Sequence, residues 1–213
     1  IKINVTLIKS ISGIRGTIGG KPGDGLSPLD IVKFASAYGS WIISQDPSKK
    51  VTVVIGRDAR LSGQMVNNIV CGTLVGLGIN VVDLGLSTTP TVEVAVTELN
   101  ADGGIILTAS HNPKQWNALK LLNYKGEFIS DGEGKYILEL ADKEDFTYSD
   151  VNQLGTYEQR DDLLQIHIDK VLQLPYVDVE AIKKANFSVA VDAVNSSGGI
   201  VIPMLLEALG VKT

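Results

Sequence analysis

Val51-Thr52-Val53-Val54-Ile55, closed by Gly56, is a short β-branched run that predicts a strand buried on both faces. After Ser62-Gly63, residues 64–77 place Met65, Ile69, Gly72, Thr73 and Gly76 at helical spacing, and Gly78 ends that helix. Its small residues suit close packing on a sheet. Residues 79–84 read as a second strand. Thr89-Pro90 then opens a helix to about residue 99, with Pro90 well placed in a first turn. Residues 103–107 form a third apolar strand. Strand–helix–strand–helix–strand predicts a mostly parallel α/β sheet with helices on both faces.

Around this centre the pattern predicts a preceding helix over 28–43. Short strands are expected at 118–122 and 128–129, and a helix over 131–141. From 142 to 162 the chain turns polar, which places a domain boundary near residue 150: a first domain over 1–150 and a second unit over 151–213. Beyond the boundary come helices at 161–172, 178–185 and 198–209 and one strand at 188–191. One strand is too few for a sheet. The second unit therefore reads as the incomplete start of another α/β domain, or as a small appendage. The lone strand would leave open edges and an uncovered apolar face, so the second unit should self-associate through residues beyond about 150 or else leave them mobile.

The 213 residues carry 19 Lys plus Arg against 24 Asp plus Glu, a formal charge of −5. That opposes nucleic-acid binding through a broadly basic surface. With 44% hydrophobic and 20% charged residues the chain belongs among folded proteins rather than disordered ones. Cys71 is the sole cysteine, so no disulfide can form within the chain, and a reducing, cytoplasmic setting is expected. No apolar run approaches the roughly 20 residues that span a bilayer. The first residues do not read as a signal peptide, so no membrane partner is expected.

Four segments could carry chemistry. Thr108-Ala109-Ser110-His111-Asn112-Pro113 follows the third strand, at the carboxyl end of the sheet where open α/β folds bind ligands. There Ser110 is a candidate nucleophile. The same run also reads as an ordinary Asn-Pro turn. It is not a hydrolase triad, since adjacent strand residues point opposite ways. Gly56-Arg57-Asp58-Ala59-Arg60-Leu61-Ser62-Gly63 brings two guanidiniums and a hydroxyl to a helix N-terminus, an anion site or a solvated loop. The run from Ser10 to Gly20 is glycine-rich and holds Arg15, but matches neither a phosphate loop nor a dinucleotide fingerprint. Lys120, in Trp116-Asn117-Ala118-Leu119-Lys120, stands on an expected strand among apolar residues, a setting that suits acid–base work or protects a sheet edge. His167 reads as a helix-surface residue and Cys71 as a buried small side chain.

Taken together and in this order, these segments resemble the α-D-phosphohexomutases: phosphoglucomutase, phosphomannomutase and phosphoglucosamine mutase. Residues 108–113 resemble that family's phosphoserine loop. Gly56-Arg57-Asp58 with Ser62-Gly63, and Ser12-Gly13-Ile14-Arg15-Gly16, match as well. Asn117 and Lys120 fit its Asn-Gly-x-Lys, with Ala118 in place of glycine. Val191-Asp192-Ala193-Val194-Asn195 with Gly198-Gly199 resembles the start of its second domain.

The resemblance implies an isomerase that moves a phosphoryl group between the 1- and 6-positions of a hexose phosphate through a phosphoserine and a bisphosphate intermediate. It assigns catalysis to Ser110, Lys120, His111 and Arg15. Phosphate or substrate contacts fall to Arg57, Arg60, Ser62, Asn112 and Asn117. It implies Mg²⁺ on the Ser110 phosphate and a hexose bisphosphate activator. The family's Asp-x-Asp-x-Asp metal loop does not occur in these residues. This stretch alone is therefore expected to be an N-terminal fragment without turnover. Glucose, mannose and glucosamine phosphates stay open as substrates, with a lean toward glucosamine. A non-enzymatic phosphosugar-binding or regulatory module, and a nucleotide-binding α/β domain, are the other readings.

Overall fold

The computed structural model describes residues 5–10 and 13–213. Its centre is the expected alternation: β3 (Thr52–Arg57), α2 (Gly63–Gly76), β4 (Asn80–Leu86), α3 (Thr89–Glu98) and β5 (Gly103–Leu107). β3 pairs in parallel with β4 on one side and with β5 on the other. Side chains alternate across the strand. Val53 and Ile55 join one core with Val66, Val70 and Leu74 of α2. Val54 joins the opposite core with Val92, Ala95 and Val96 of α3. A strand buried on both faces needs apolar residues at every position, which is why its sequence is continuous rather than alternating.

Ahead of this unit lie β1 (Ile8–Ser10), β2 (Gly13–Thr17) and α1 (Pro28–Gln45); after it come β6 (Trp116–Leu122) and α4 (Asp131–Lys143). The sheet runs β1-β2-β6-β5-β3-β4, with β1, β2 and β6 antiparallel, and so is mixed. α1 starts on a capping box. The Ser27 side chain accepts from the Asp30 N–H, and Asp30 returns the contact to the Ser27 N–H at 3.0 Å, with Pro28 in the first turn.

Two short strands differ from expectation. The 128–129 segment makes only an isolated bridge, Leu122 to Phe128, because the chain turns at once into α4. No strand was expected within the glycine-rich run, yet Gly13–Thr17 is one. Ile14 faces the core and Arg15 faces out, the alternation of a half-buried strand.

The chain past residue 150 returns to the same sheet. β7 (Tyr157–Gln159) pairs in parallel with β4, Val81 opposite Tyr157, as the seventh strand. The approach is tight: a Cβ at Gly155 would lie 1.8 Å from the Ile79 carbonyl oxygen, so only glycine fits. α5 (Leu163–Leu172) then packs on α3. Its Leu163 enters the second core, and Lys170 pairs with Glu98 at 2.7 Å. α6 (Val179–Ala185) and α7 (Gly198–Ala208) follow. The strand expected at 188–191 is not formed. Ser188 makes one bridge, to Lys212, with no further strand beside it to build a ladder. The strand edge on which the sequence argument for self-association rests is thus absent among the described residues.

His167 corrects another expectation. It faces α3 rather than solvent, with Nδ1 2.9 Å from Thr91 Oγ1, which in turn lies 2.7 Å from Thr88 Oγ1. Burial holds its imidazole below the usual histidine range. An unfolded histidine gains its proton near pH 6.5, whereas the folded one resists it until lower pH. The unfolded state then binds more protons, so stability is present above about pH 6.5 and is lost as pH falls through the folded value. Between about pH 7.5 and 5 the wild-type Tm should therefore fall further than that of His167→Gln. Equal falls would remove His167 as the cause.

Candidate functional site

The loops that follow β3 and β5 are neighbours, because their strands are. The Asp58 N–H donates to the Leu107 carbonyl at 3.1 Å across the junction. Binding crevices of open α/β sheets form at such carboxyl ends. Ser110 sits there, exposed, at φ 53. A left-handed backbone at a non-glycine residue costs on the order of 1–3 kcal/mol and persists only where its surroundings impose it. The turn also removes strand alternation, so His111 is on the same side as Ser110. Its Nδ1 is 3.5 Å from Ser110 Oγ, at the outer limit of a hydrogen bond, which corrects the expectation that the two point apart.

A cavity of about 310 Å³ lies beside this loop, lined by Ser110, His111, Asn112, Arg15, Lys120 and Phe128 among others. Arg15 and Lys120 reach it because of strand register. Arg15 is opposite Ala118, so Lys120 is its diagonal neighbour on the same face of β2 and β6. Gly13 faces Lys120 across the ladder at φ 115, and a Cβ there would meet the Leu119 carbonyl oxygen at 2.2 Å. Lys120 is half-buried, with Nζ 5.8 Å from the Phe128 ring centroid. Nearby Glu93 is pushed up by burial and partly drawn back by the Lys120 charge. Phe128 was expected only as a strand residue; its place in the cavity follows from the turn after β6, which residue type alone does not signal.

Of the remaining candidates only Asn112 lines that cavity; Arg57, Arg60, Ser62 and Asn117 do not. Arg57 turns to the other side of β3, donating to Gln64 Oε1 at 2.8 Å and to the Asp58 carbonyl at 3.2 Å, and lines a separate cavity with Asp83 and Tyr157. Ser62 and the fully buried Asn117 bind each other, Nδ2 to Oγ at 2.9 Å, and so tie the β3 loop to β6. Asn112 closes its own turn through Nδ2 to the Ala109 carbonyl at 2.8 Å. Arg60 spends its guanidinium on backbone carbonyls of the serine loop and on Asp58. Ser110, His111 and Asn112 also face a second cavity of about 400 Å³, shared with Val194, Asn195 and Ser196. Ser12 lies outside the described residues. Cys71 is buried as expected, its thiol pushed up to about 12 by desolvation, and so is inert.

The charged side chains that line the first Ser110 cavity, Arg15 and Lys120, are cationic. Among the described residues no group of three His, Cys, Asp or Glu could hold a metal ion. The residues present therefore do not on their own fit a Mg²⁺ site. Among the described residues no helix is long and apolar enough to cross a membrane.

Residues 7–148 match the family model for phosphoglucomutase/phosphomannomutase, alpha/beta/alpha domain I. A phosphoglucomutase/phosphomannomutase of Thermococcus kodakarensis is 35% identical over 200 residues, 94% of this chain and 42% of the relative. A phosphoglucosamine/phosphogalactosamine mutase of Sulfurisphaera tokodaii is 33% identical over 201 residues, again 94% and 42%. Among solved structures, a phosphoglucomutase/phosphomannomutase family protein from Burkholderia thailandensis superposes with a TM-score of 0.72 at 25% identity, over 100% of this chain and 43% of that one. The chain spans about 42% of the length of these curated relatives. The match covers most of the chain, including both loops of the crevice and the strands that carry Arg15 and Lys120, and on that ground the chain belongs to the phosphoglucomutase/phosphomannomutase family.

Proposed function

We propose that the full-length protein carrying this chain is a phosphohexomutase with Ser110 as its phosphoryl carrier. The observation that supports this most is a serine held in a left-handed turn at the carboxyl end of a central strand, beside a cavity that Arg15 and Lys120 enter from adjacent strands. Phosphoryl transfer needs little covalent chemistry from a protein; positioning and charge neutralisation do most of the work. Arg15 supplies positive charge where the phosphoryl oxygens would lie, Lys120 is the proton relay, and His111 supports the serine.

In the first half-reaction the bond from phosphorus to Ser110 Oγ breaks, and its electron pair stays on Oγ, which takes the proton that Lys120 relays from the sugar hydroxyl. A bond from phosphorus to a sugar hydroxyl oxygen forms, and that hydroxyl's proton passes to the Lys120 amine. The resulting hexose bisphosphate turns round. In the second half-reaction the other phosphoryl group moves to Ser110 Oγ, whose proton Lys120 passes to the sugar oxygen left behind, so serine and lysine end as they began. A hexose bisphosphate would then serve as activator by loading an empty serine.

The test is peptide mapping of the full-length protein after incubation with a hexose 1,6-bisphosphate and Mg²⁺. One phosphate should map to Ser110 within the 108–113 loop, and hexose 1-phosphate should be converted to 6-phosphate. Binding of phosphosugar with no phosphate on Ser110 would favour a regulatory module instead. Comparing kcat/KM for glucose, mannose and glucosamine phosphates reads the sugar, with glucosamine phosphate expected highest.

A further inference from the structure

Arg60 looks from sequence like a phosphate ligand, but all five of its N–H donors are already committed. Nε donates to Asp58 Oδ2 at 3.2 Å. Nη1 donates to the carbonyls of Pro113 and Trp116, both at 3.0 Å. Nη2 donates to the carbonyls of Ser110 at 2.6 Å and Asn112 at 2.9 Å. The Arg60 and Asp58 side chains are only 11% and 16% exposed.

The contacts close a ring around the nucleophile. Asp58 Oδ2 accepts from Thr108 Oγ1 at 2.6 Å. Thr108 Oγ1 accepts from the Ser110 N–H at 3.1 Å. The Ser110 carbonyl accepts from Arg60, which returns to Asp58. Both main-chain polar groups of Ser110 are therefore fixed from one part-buried ion pair, and Ser110 is the loop residue with the strained backbone.

We propose that Arg60 is a positioning residue: a clamp that, with Asp58 and Thr108, holds Ser110 in its left-handed conformation and so aims Oγ at the Arg15–Lys120 cavity. It acts on a phosphoryl group only through the serine. A planar fork of five donors is what four carbonyls and a carboxylate require, and a lysine ammonium, with three donors at one point, cannot reproduce it.

The kinetic part of this proposal rests on the mutase reading; the conformational part does not. In the full-length protein Arg60→Lys and Arg60→Ala should each lower kcat by about 10²-fold, the scale on which misplacing a reacting group is felt. KM for the phosphosugar should stay within about 3-fold, as for a residue that does not bind it. Millimolar guanidinium should restore part of the Arg60→Ala loss and none of the Arg60→Lys loss. Wild-type kcat in Arg60→Lys, or a raised KM at unchanged kcat, would make Arg60 a direct ligand and overturn the clamp.

Amide hydrogen exchange needs no turnover. Exchange over residues 109–116 should rise by about 10-fold or more in both variants while β3 and β5 keep their protection. Unchanged exchange overturns the clamp even in an active enzyme. Raised exchange in a protein whose Ser110 never accepts phosphate would uphold the clamp and reject the mutase reading.

Discussion

Ser110→Ala in the full-length protein should reduce mutase turnover to background. Ser110 would hold the phosphoryl group between half-reactions, and a carrier cannot be replaced by better positioning elsewhere. The neighbouring hydroxyl, Thr108 Oγ1, is engaged with Asp58 and the Ser110 N–H, so it is not free to substitute. Alanine keeps a Cβ at the left-handed position and leaves the backbone contacts to Thr108 and Arg60 in place, so the fold should persist. A coupled assay for hexose 6-phosphate reads the loss, and circular dichroism checks the fold. Normal turnover in this variant, or a phosphate that maps elsewhere, would show that the site is wrongly assigned.

Lys120→Ala should slow turnover by about 10² to 10⁴-fold, the usual span of acid–base help. The residue is well held for that task. β6 pairs on both sides, with β5 and β2, so its backbone is fixed, and its side chain lies over Phe128 within the cavity that Ser110 lines. Removing it deletes the proton acceptor but not the carrier. Phosphate should still be found on Ser110 after long incubation with bisphosphate. That split separates Lys120 from Ser110: loss of turnover with Ser110 still phosphorylatable assigns the proton step to Lys120, whereas unchanged turnover removes Lys120 from the mechanism.

The parts of the fold legible in the sequence were those with unbroken apolar strands. Residues 51–55, 79–84 and 103–107 are buried on both faces in the parallel core, and each is bounded by a change in composition that periodicity registers. β2 was hidden because Gly13 and Gly16 interrupt its pattern, leaving Ile14 as its single large apolar residue. β7 was hidden because Tyr157, Glu158 and Gln159 sit exposed at a sheet edge, where no apolar pattern is required. The reverse error at 188–191 has the same root: Val189 and Val191 suit a strand, but a strand also needs partners, and propensity does not count them.

The site divides in a similar way. Ser110, Lys120 and Arg15 were legible because their types carry chemistry and their places follow strands. The structural use of Arg60, Asn117 and Ser62 was not. The partners of Arg60 are mostly main-chain carbonyls, which every residue possesses, and the Asn117–Ser62 contact spans 55 positions.

The pairing of β4 with β7 also bears on how the chain is made. Val81 meets Tyr157, 76 positions later. At a synthesis rate of about 5–20 residues per second, that partner is assembled roughly 4–15 s after Val81 itself. Hairpins and helix turns form within microseconds, so the order of events at this edge is set by the ribosome. Throughout that interval the outer edge of β4 on the nascent chain is an open row of amides and carbonyls, a template for any extended segment that reaches it first.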